Sequence, residues 1–168
     1  QGMFLSVALT FFFEDIAQGL IDSYVSVSLK SFFLFVVAVP AIEEYSKVYP
    51  LFTRHAETAR SLIKIGFVTG LGFGVAELLV YVFSLGEPYL TRIPGLLFHA
   101  STTSIVASGI SKNRFIEYLF ISIMLHGLHN FFVENGGLWI VDGLATGFAF
   151  SLAYLELAGS KDEILMQR

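Results

Sequence analysis

The chain has 168 residues, 55% hydrophobic and 14% charged, with a net charge of −4 and no cysteine, and its mean hydropathy is +0.71. That is far more apolar than a soluble domain, leaves no room for a sizeable extramembrane domain, and rules out disulfides, thiolate catalysis and Cys-ligated metal centres. The Lys and Arg residues sit singly or in short clusters between apolar runs, without the basic stripe that nucleic-acid binding needs.

Crossing a hydrocarbon core of about 30 Å takes roughly 20 apolar residues, and the sequence is little more than such runs separated by short polar breaks. It predicts an all-α, polytopic transmembrane bundle of about six membrane helices in lipid, forming a single domain over 1–168. The start, Gln1-Gly2 with no initiator Met, is that expected of a trimmed or truncated chain. The first predicted helix, 2–21, is the least regular, because Glu14, Asp15 and Asp22 crowd its second half and belong at a wet interface. The second, 26–53, carries Pro40 and then Glu43, Glu44 and Lys47; the proline should kink the helix or free a backbone carbonyl. The third, 62–85, carries Gly66, Gly70 and Gly74 on one face, where small residues let backbones approach closely within the bundle or in an oligomer, and then Glu77. The fourth, 94–110, holds His99, Thr102 and Thr103; the fifth, 114–134, holds His126, His129 and Asn130; the sixth, 137–158, ends at a polar tail.

Short cytoplasmic loops collect Lys and Arg. Arg54, Arg60 and Lys64 follow the second helix, Lys112 and Arg114 the fourth, and Lys161 and Arg168 the last, whereas the other loops hold mainly Glu87 with Arg92, and Glu134 with Asp142. Both termini are therefore placed on the cytoplasmic side of the cell membrane.

An ionisable group at mid-bilayer costs at least about 2.5 to 3.5 kcal/mol, so such groups face the bundle interior and pair there. Glu43 lies eleven residues before Arg54, Glu77 thirteen after Lys64, His99 thirteen before Lys112 and His126 twelve after Arg114. At the helical rise these spacings put all four roughly 16 to 20 Å deep, on one plane. Same-face neighbours at i, i+4 can orient them: Lys47 for Glu43, Thr103 for His99, Asn130 for His126. Glu44 with Lys47 reads equally as a buried ion pair, and His129 as a cap on a polar network. Two imidazoles and two or more carboxylates at one depth suit a His/His/Glu metal site with an open water position, or metal-free activation of water by a carboxylate with a histidine donor. They also serve a proton-coupled transporter or channel, a membrane cytochrome with axial histidines, or a catalytically silent scaffold of the same fold.

At these residues the sequence resembles the PrsW family of intramembrane proteases, a branch of the wider group of CAAX prenyl proteases and bacteriocin-processing enzymes (CPBP). The matches are Glu43-Glu44-x-x-Lys47, Phe73-Gly-Val-Ala-Glu77, His99-x-x-x-Thr103 and His126-Gly-Leu-His-Asn130, in order on four successive helices. Glu77 stands where the prenyl-protease branch has histidine, which favours PrsW. The resemblance implies an intramembrane endopeptidase, usually classed as a metalloprotease, that hydrolyses a membrane-anchored protein substrate. Its relatives cut membrane-anchored regulators such as anti-sigma factors, and the prenyl-protease branch cuts C-terminal tripeptides after a lipidated Cys; the loops do not choose between them. Glu43 is then expected to be the general base, with Glu44 orienting or sharing that role. Glu77, His99 and His126 would hold zinc, and Asn130 or His129 would stabilise the oxyanion. In a metal-free version, His99 and Glu77 position the water, and His126 with Asn130 forms the oxyanion hole.

Overall fold

The computed structural model describes residues 2–24, 27–52, 58–134 and 139–162. Arg54, Arg168 and the side chain of Glu134, used above to orient the chain, lie outside the described residues. Six helices follow one another, with no strand among the described residues: α1 (Gly2–Tyr24), α2 (α-helical at Val27–Phe32 and Val39–Phe52, π-helical at Phe33–Ala38), α3 (Ala59–Ser84), α4 (Tyr89–Ser111), α5 (Phe115–Glu134) and α6 (Trp139–Gly159). This is the expected all-α bundle. Helices α3, α4, α5 and α6 are each long and apolar enough to cross a membrane; α1 mixes its apolar run with three acids, and α2 is divided by its π-helical stretch. Val68 and Phe83 on α3, Ile116 and Phe120 on α5, and Leu144 and Leu155 on α6 are all exposed. So apolar an outer surface is sustainable against lipid and not against water.

Helix α4 is the centre of the bundle: every residue from 98 to 109 is buried. It packs most closely on α3, whose glycine face serves the bundle itself. A Cβ at Gly66 would lie 2.7 Å from Ala107 Cβ, and one at Gly70 only 2.2 Å from the His99 carbonyl oxygen. Val48 and Leu51 of α2, Leu62 of α3, and Val106 and Ala107 of α4 close an apolar core beside this contact.

Two helix starts differ from the expected boundaries. Helix α3 begins at Ala59 instead of 62 because Thr58 and Ser61 form a capping box: the Thr58 hydroxyl accepts from Ser61 N–H at 3.1 Å, and Thr58 N–H donates to Ser61 Oγ at 3.0 Å. Helix α4 begins at Tyr89 instead of 94, with Pro94 inside it and Pro88 at its cap; the missing amide of a proline is tolerated in a membrane helix when neighbours satisfy the freed group. Its other end closes as a Schellman motif, with Asn113 in the left-handed region (φ 58°), Arg114 N–H on Gly109 O at 2.8 Å and Asn113 N–H on Ile110 O at 3.1 Å.

At the same end of the bundle Arg60 donates to Asp162 at 3.1 Å and to Ser160 O at 2.8 Å. Nearby, Glu156 accepts from Ser108, Lys112 and Tyr118. The basic residues after the second and fourth helices thus share one end with the chain's C-terminal helix.

The π-helical stretch follows from Pro40. Val39 N–H bonds Leu34 O, five residues back; in that register Phe35 O faces the nitrogen of Pro40, which carries no hydrogen. The freed carbonyl predicted from the sequence is therefore Phe35 O, and Asn130 Nδ2 of α5 donates to it at 2.9 Å. Gly127 lets α5 come this close, since a Cβ there would stand 2.3 Å from Val36 O.

Candidate active site

Glu43, Glu44 and Lys47 follow Pro40 on the α-helical half of α2 and turn inward, all three buried. Glu44 is the hub: one of its oxygens, Oε1, accepts from Lys47 Nζ at 2.6 Å, from His126 Nδ1–H at 2.8 Å and from the Thr102 hydroxyl at 3.1 Å. One carboxylate oxygen thereby ties together α2, α4 and α5. Glu44 and Lys47 are both 0% exposed and form the buried i, i+3 ion pair, a pairing that removes much of the cost of burying either charge.

Lys47 also reaches His99, its Nζ standing 2.9 Å from Nδ1. An ammonium has only hydrogens to offer, so Nδ1 accepts, and the proton of the neutral imidazole resides on Nε2. Nε2–H donates to Glu77 Oε2 at 2.6 Å. His126 is set in the opposite sense. Its Nδ1–H is held by Glu44, which leaves a bare Nε2 lone pair 3.7 Å from Glu43 Oε2. That Glu43 oxygen is buried and has no hydrogen-bond partner, and Lys47 Nζ is 4.0 Å away.

The four residues expected at one depth therefore meet. Glu77 on α3 bonds His99 on α4, and the His99 and His126 rings are 5.1 Å apart in an edge contact. Phe98, which carried no signal in the sequence because it is simply apolar, is the spacer between the imidazoles: its ring stacks on His129 at 4.2 Å and takes His99 and His126 edge-on at 6.0 and 5.6 Å.

Other expected partners fall elsewhere. Thr103 donates to His99 O within its own helix at 2.9 Å and faces Gly70, so the hydroxyl that supports the site is that of Thr102. Ser122, one turn before His126, donates to Thr102 O at 3.1 Å and could have been found by the i−4 spacing. Asn130 is on the cavity wall, with its amide engaged by Phe35 O. His129 Nδ1 sits against the Asp142 carboxylate of α6, one ring removed from the cluster. Asp15 and Asp22 are exposed as expected, Asp22 paired with Lys30 at 3.0 Å. Glu14 is not: it is half-buried and faces inward.

A cavity of about 910 Å³ runs from this cluster toward the connection between α3 and α4. Glu43, Glu77 and His99 line its inner part, Glu87, Thr91 and Arg92 its outer part, and Val7, Phe11 and Glu14 of α1 one wall. Glu44, Lys47 and His126 are not on its surface. They form the layer that orients the residues which are.

The structure is a helical membrane bundle with a polar chamber, in which carboxylates and imidazoles are buried at the foot of a cavity. Residues 1–155 match the PrsW-protease family, PrsW family intramembrane metalloprotease, and the chain belongs to that family; it is an integral membrane protein of an intramembrane protease family. No curated protein and no solved structure matches it.

The metal that the family description implies can be tested against the donors. One atom each of Glu43, His99 and His126 lie within 4.8 Å of one another. The convergent set thus contains Glu43, where the sequence pointed to Glu77. His126 fits a cation well: Glu44 fixes its tautomer through Nδ1 and aims the free Nε2 lone pair at the site, the usual arrangement of a metal-bound histidine. Glu43 offers an unpartnered oxygen. His99 fits by position, but both its nitrogens are engaged, Nδ1 by Lys47 and Nε2 by Glu77, so binding a metal would require it to give up one of those contacts.

Proposed function

We propose that the protein is an intramembrane endopeptidase in which Glu43 is the general base for a water molecule attacking the scissile carbonyl of a membrane-anchored protein. The observation that carries this reading is the Glu43 Oε2 oxygen: buried, without a partner, and on the cavity wall. A carboxylate oxygen that no protein donor occupies, on the wall of a cavity, is placed to take a proton from a water held beside it.

Glu43 takes a proton from water as the water oxygen bonds to the carbonyl carbon. The tetrahedral intermediate then collapses, the C–N bond breaks, and the departing amine takes the proton back from Glu43. Glu44, clamped by Lys47, Thr102 and His126, holds His126 in the tautomer that keeps a lone pair toward Glu43. Lys47 orients His99, and His99 fixes Glu77 through Nε2–H. Asn130, bound to Phe35 O, holds the π-helical stretch that leads into Glu43 and is a positioning residue. Zinc, where bound, would be held by His99 and His126 and would lower the pKa of bound water toward about 7, with Glu43 Oε2 kept for the proton. Both termini are assigned to the cytoplasmic side.

The test uses purified protein in proteoliposomes with a membrane-anchored reporter. Glu43→Gln and His126→Ala are expected to abolish cleavage while leaving the protein folded, and elemental analysis is expected to find zinc in the parent that His126→Ala lacks. Full cleavage by Glu43→Gln overturns the assignment of the base; zinc-free protein that cleaves after strong chelation overturns the metal.

A further inference from the structure

Among the described residues, the cavity is lined by five carboxylates, Glu14, Glu43, Glu77, Glu87 and Asp142, against a single permanent cation, Arg92. Three of the five are answered: Glu77 by His99 at 2.6 Å, Glu87 by Arg92 at 3.3 Å, and Asp142 by His129. Glu43 is the residue assigned to the chemistry. Glu14 is left over, a half-buried carboxylate midway along α1 with no cation paired to it among the described residues. The sequence placed it at a wet interface with Asp15 and Asp22; the structure separates it from them and turns it into the same chamber as Glu43 and Glu77. An ionisable group inside a membrane bundle is costly and calls for a partner. Glu43 has the Lys47 ammonium 4.0 Å from its Oε2, whereas no such cation stands by Glu14 among the described residues.

We propose that Glu14 determines substrate specificity by receiving the cationic side chain of a lysine or arginine near the scissile bond. This rests on the protease reading above. An ion shared with the reacting cluster does not serve for Glu14, because the atoms that converge within 4.8 Å belong to Glu43, His99 and His126 alone among the described residues. A partner for Glu14 that belongs to the substrate would enter through the cavity that Glu14 lines together with Glu43 and Glu77. Apart from the Thr10 hydroxyl one turn before Glu14, the wall next to it is apolar, formed by Val7 and Phe11 of α1 with Phe35 and Val39 of α2. A carboxylate at the end of an apolar strip suits the methylene stem and charged head of lysine or arginine, and disfavours an acidic side chain by like-charge repulsion.

The experiment uses the full chain in proteoliposomes and membrane-anchored quenched-fluorescent peptides scanned with Lys, norleucine or Glu at each position within four residues of the cut. At one position Lys is expected to raise kcat/KM about tenfold or more over norleucine, with Glu the poorest. Glu14→Gln collapses that ratio toward one, and Glu14→Lys inverts it in favour of the Glu peptide, an inversion that a purely structural role cannot produce. Binding of the same peptides to the Glu43→Gln protein, read by fluorescence anisotropy, is expected to show the same Lys preference without turnover. Cleavage with no charge preference, or a preference unchanged in Glu14→Gln, overturns the assignment of Glu14. Charge-selective binding that depends on Glu14 without any cleavage by the parent protein overturns the protease reading and leaves the cationic subsite standing.

Discussion

Replacing Gly70 by alanine probes how closely the site depends on the contact between α3 and α4. The added Cβ would stand 2.2 Å from the His99 carbonyl oxygen and 2.6 Å from Thr103 Oγ1. An ordinary carbon–oxygen contact is about 3.3 Å or longer, so the two helices must separate locally by about 1 Å. The obstacle is backbone of the central helix and not a flexible side-chain end, and the displaced residue is His99, whose Nε2–H bond to Glu77 and Nδ1 contact with Lys47 are both short. A displacement of that size at a reacting geometry costs about a hundredfold in rate, and overpacking costs about 1 to 3 kcal/mol in stability. The expected result in proteoliposomes is a fall in kcat/KM of about a hundredfold with a modest loss of thermal stability. Gly147→Ala, with nothing within 4 Å of its Cβ, is the control and stays unchanged. Gly66→Ala, whose Cβ meets Ala107 at 2.7 Å one turn farther from His99, should lose comparable stability but less activity. If Gly70→Ala cleaves at the parent rate with the parent stability, the close packing of α3 on His99 is wrong; if Gly66→Ala loses activity to the same extent, the loss is not transmitted through His99.

Lys47→Ala removes the cation that neutralises Glu44 and supports His99, leaving buried charge uncompensated; unfolding measurements should show a loss of about 3 to 5 kcal/mol, and parent-like stability would mean that Glu44 is not held as an anion. Asn130→Ala deprives Phe35 O of its donor and should cost about 1 kcal/mol, whereas Asn130→Asp turns an acceptor toward an acceptor and should be worse in both stability and cleavage. Equal behaviour of Asp and Asn at this position would refute the role of Asn130 in holding the π-helical stretch.

The sequence by itself determined that this is a helical membrane bundle, and it predicted one depth for the ionisable residues. Six apolar runs and the ionisable residues set into four of them at matching distances from the basic loops leave few arrangements, because helix rise converts residue number into depth and the cost of charge in lipid forces inward faces. Glu43, Glu77, His99 and His126 were picked out that way as residues that should meet, as they do, and Pro40 announced the freed carbonyl. Rotation about each helix axis was a different matter. Thr102 and Thr103 differ by one position, and only the packing of Gly70 against α4 turns Thr103 toward α3 and Thr102 toward Glu44. Glu14 and Asp15 are likewise neighbours in sequence, and the way α1 lies against the cavity sends one inward and leaves the other exposed. The tautomers of His99 and His126 depend on Lys47 and Glu44, which share a helix with neither imidazole. Depth is a property of single helices and can be counted along the chain; which side chains face one another is decided by helix against helix, and that information exists only once the bundle has closed.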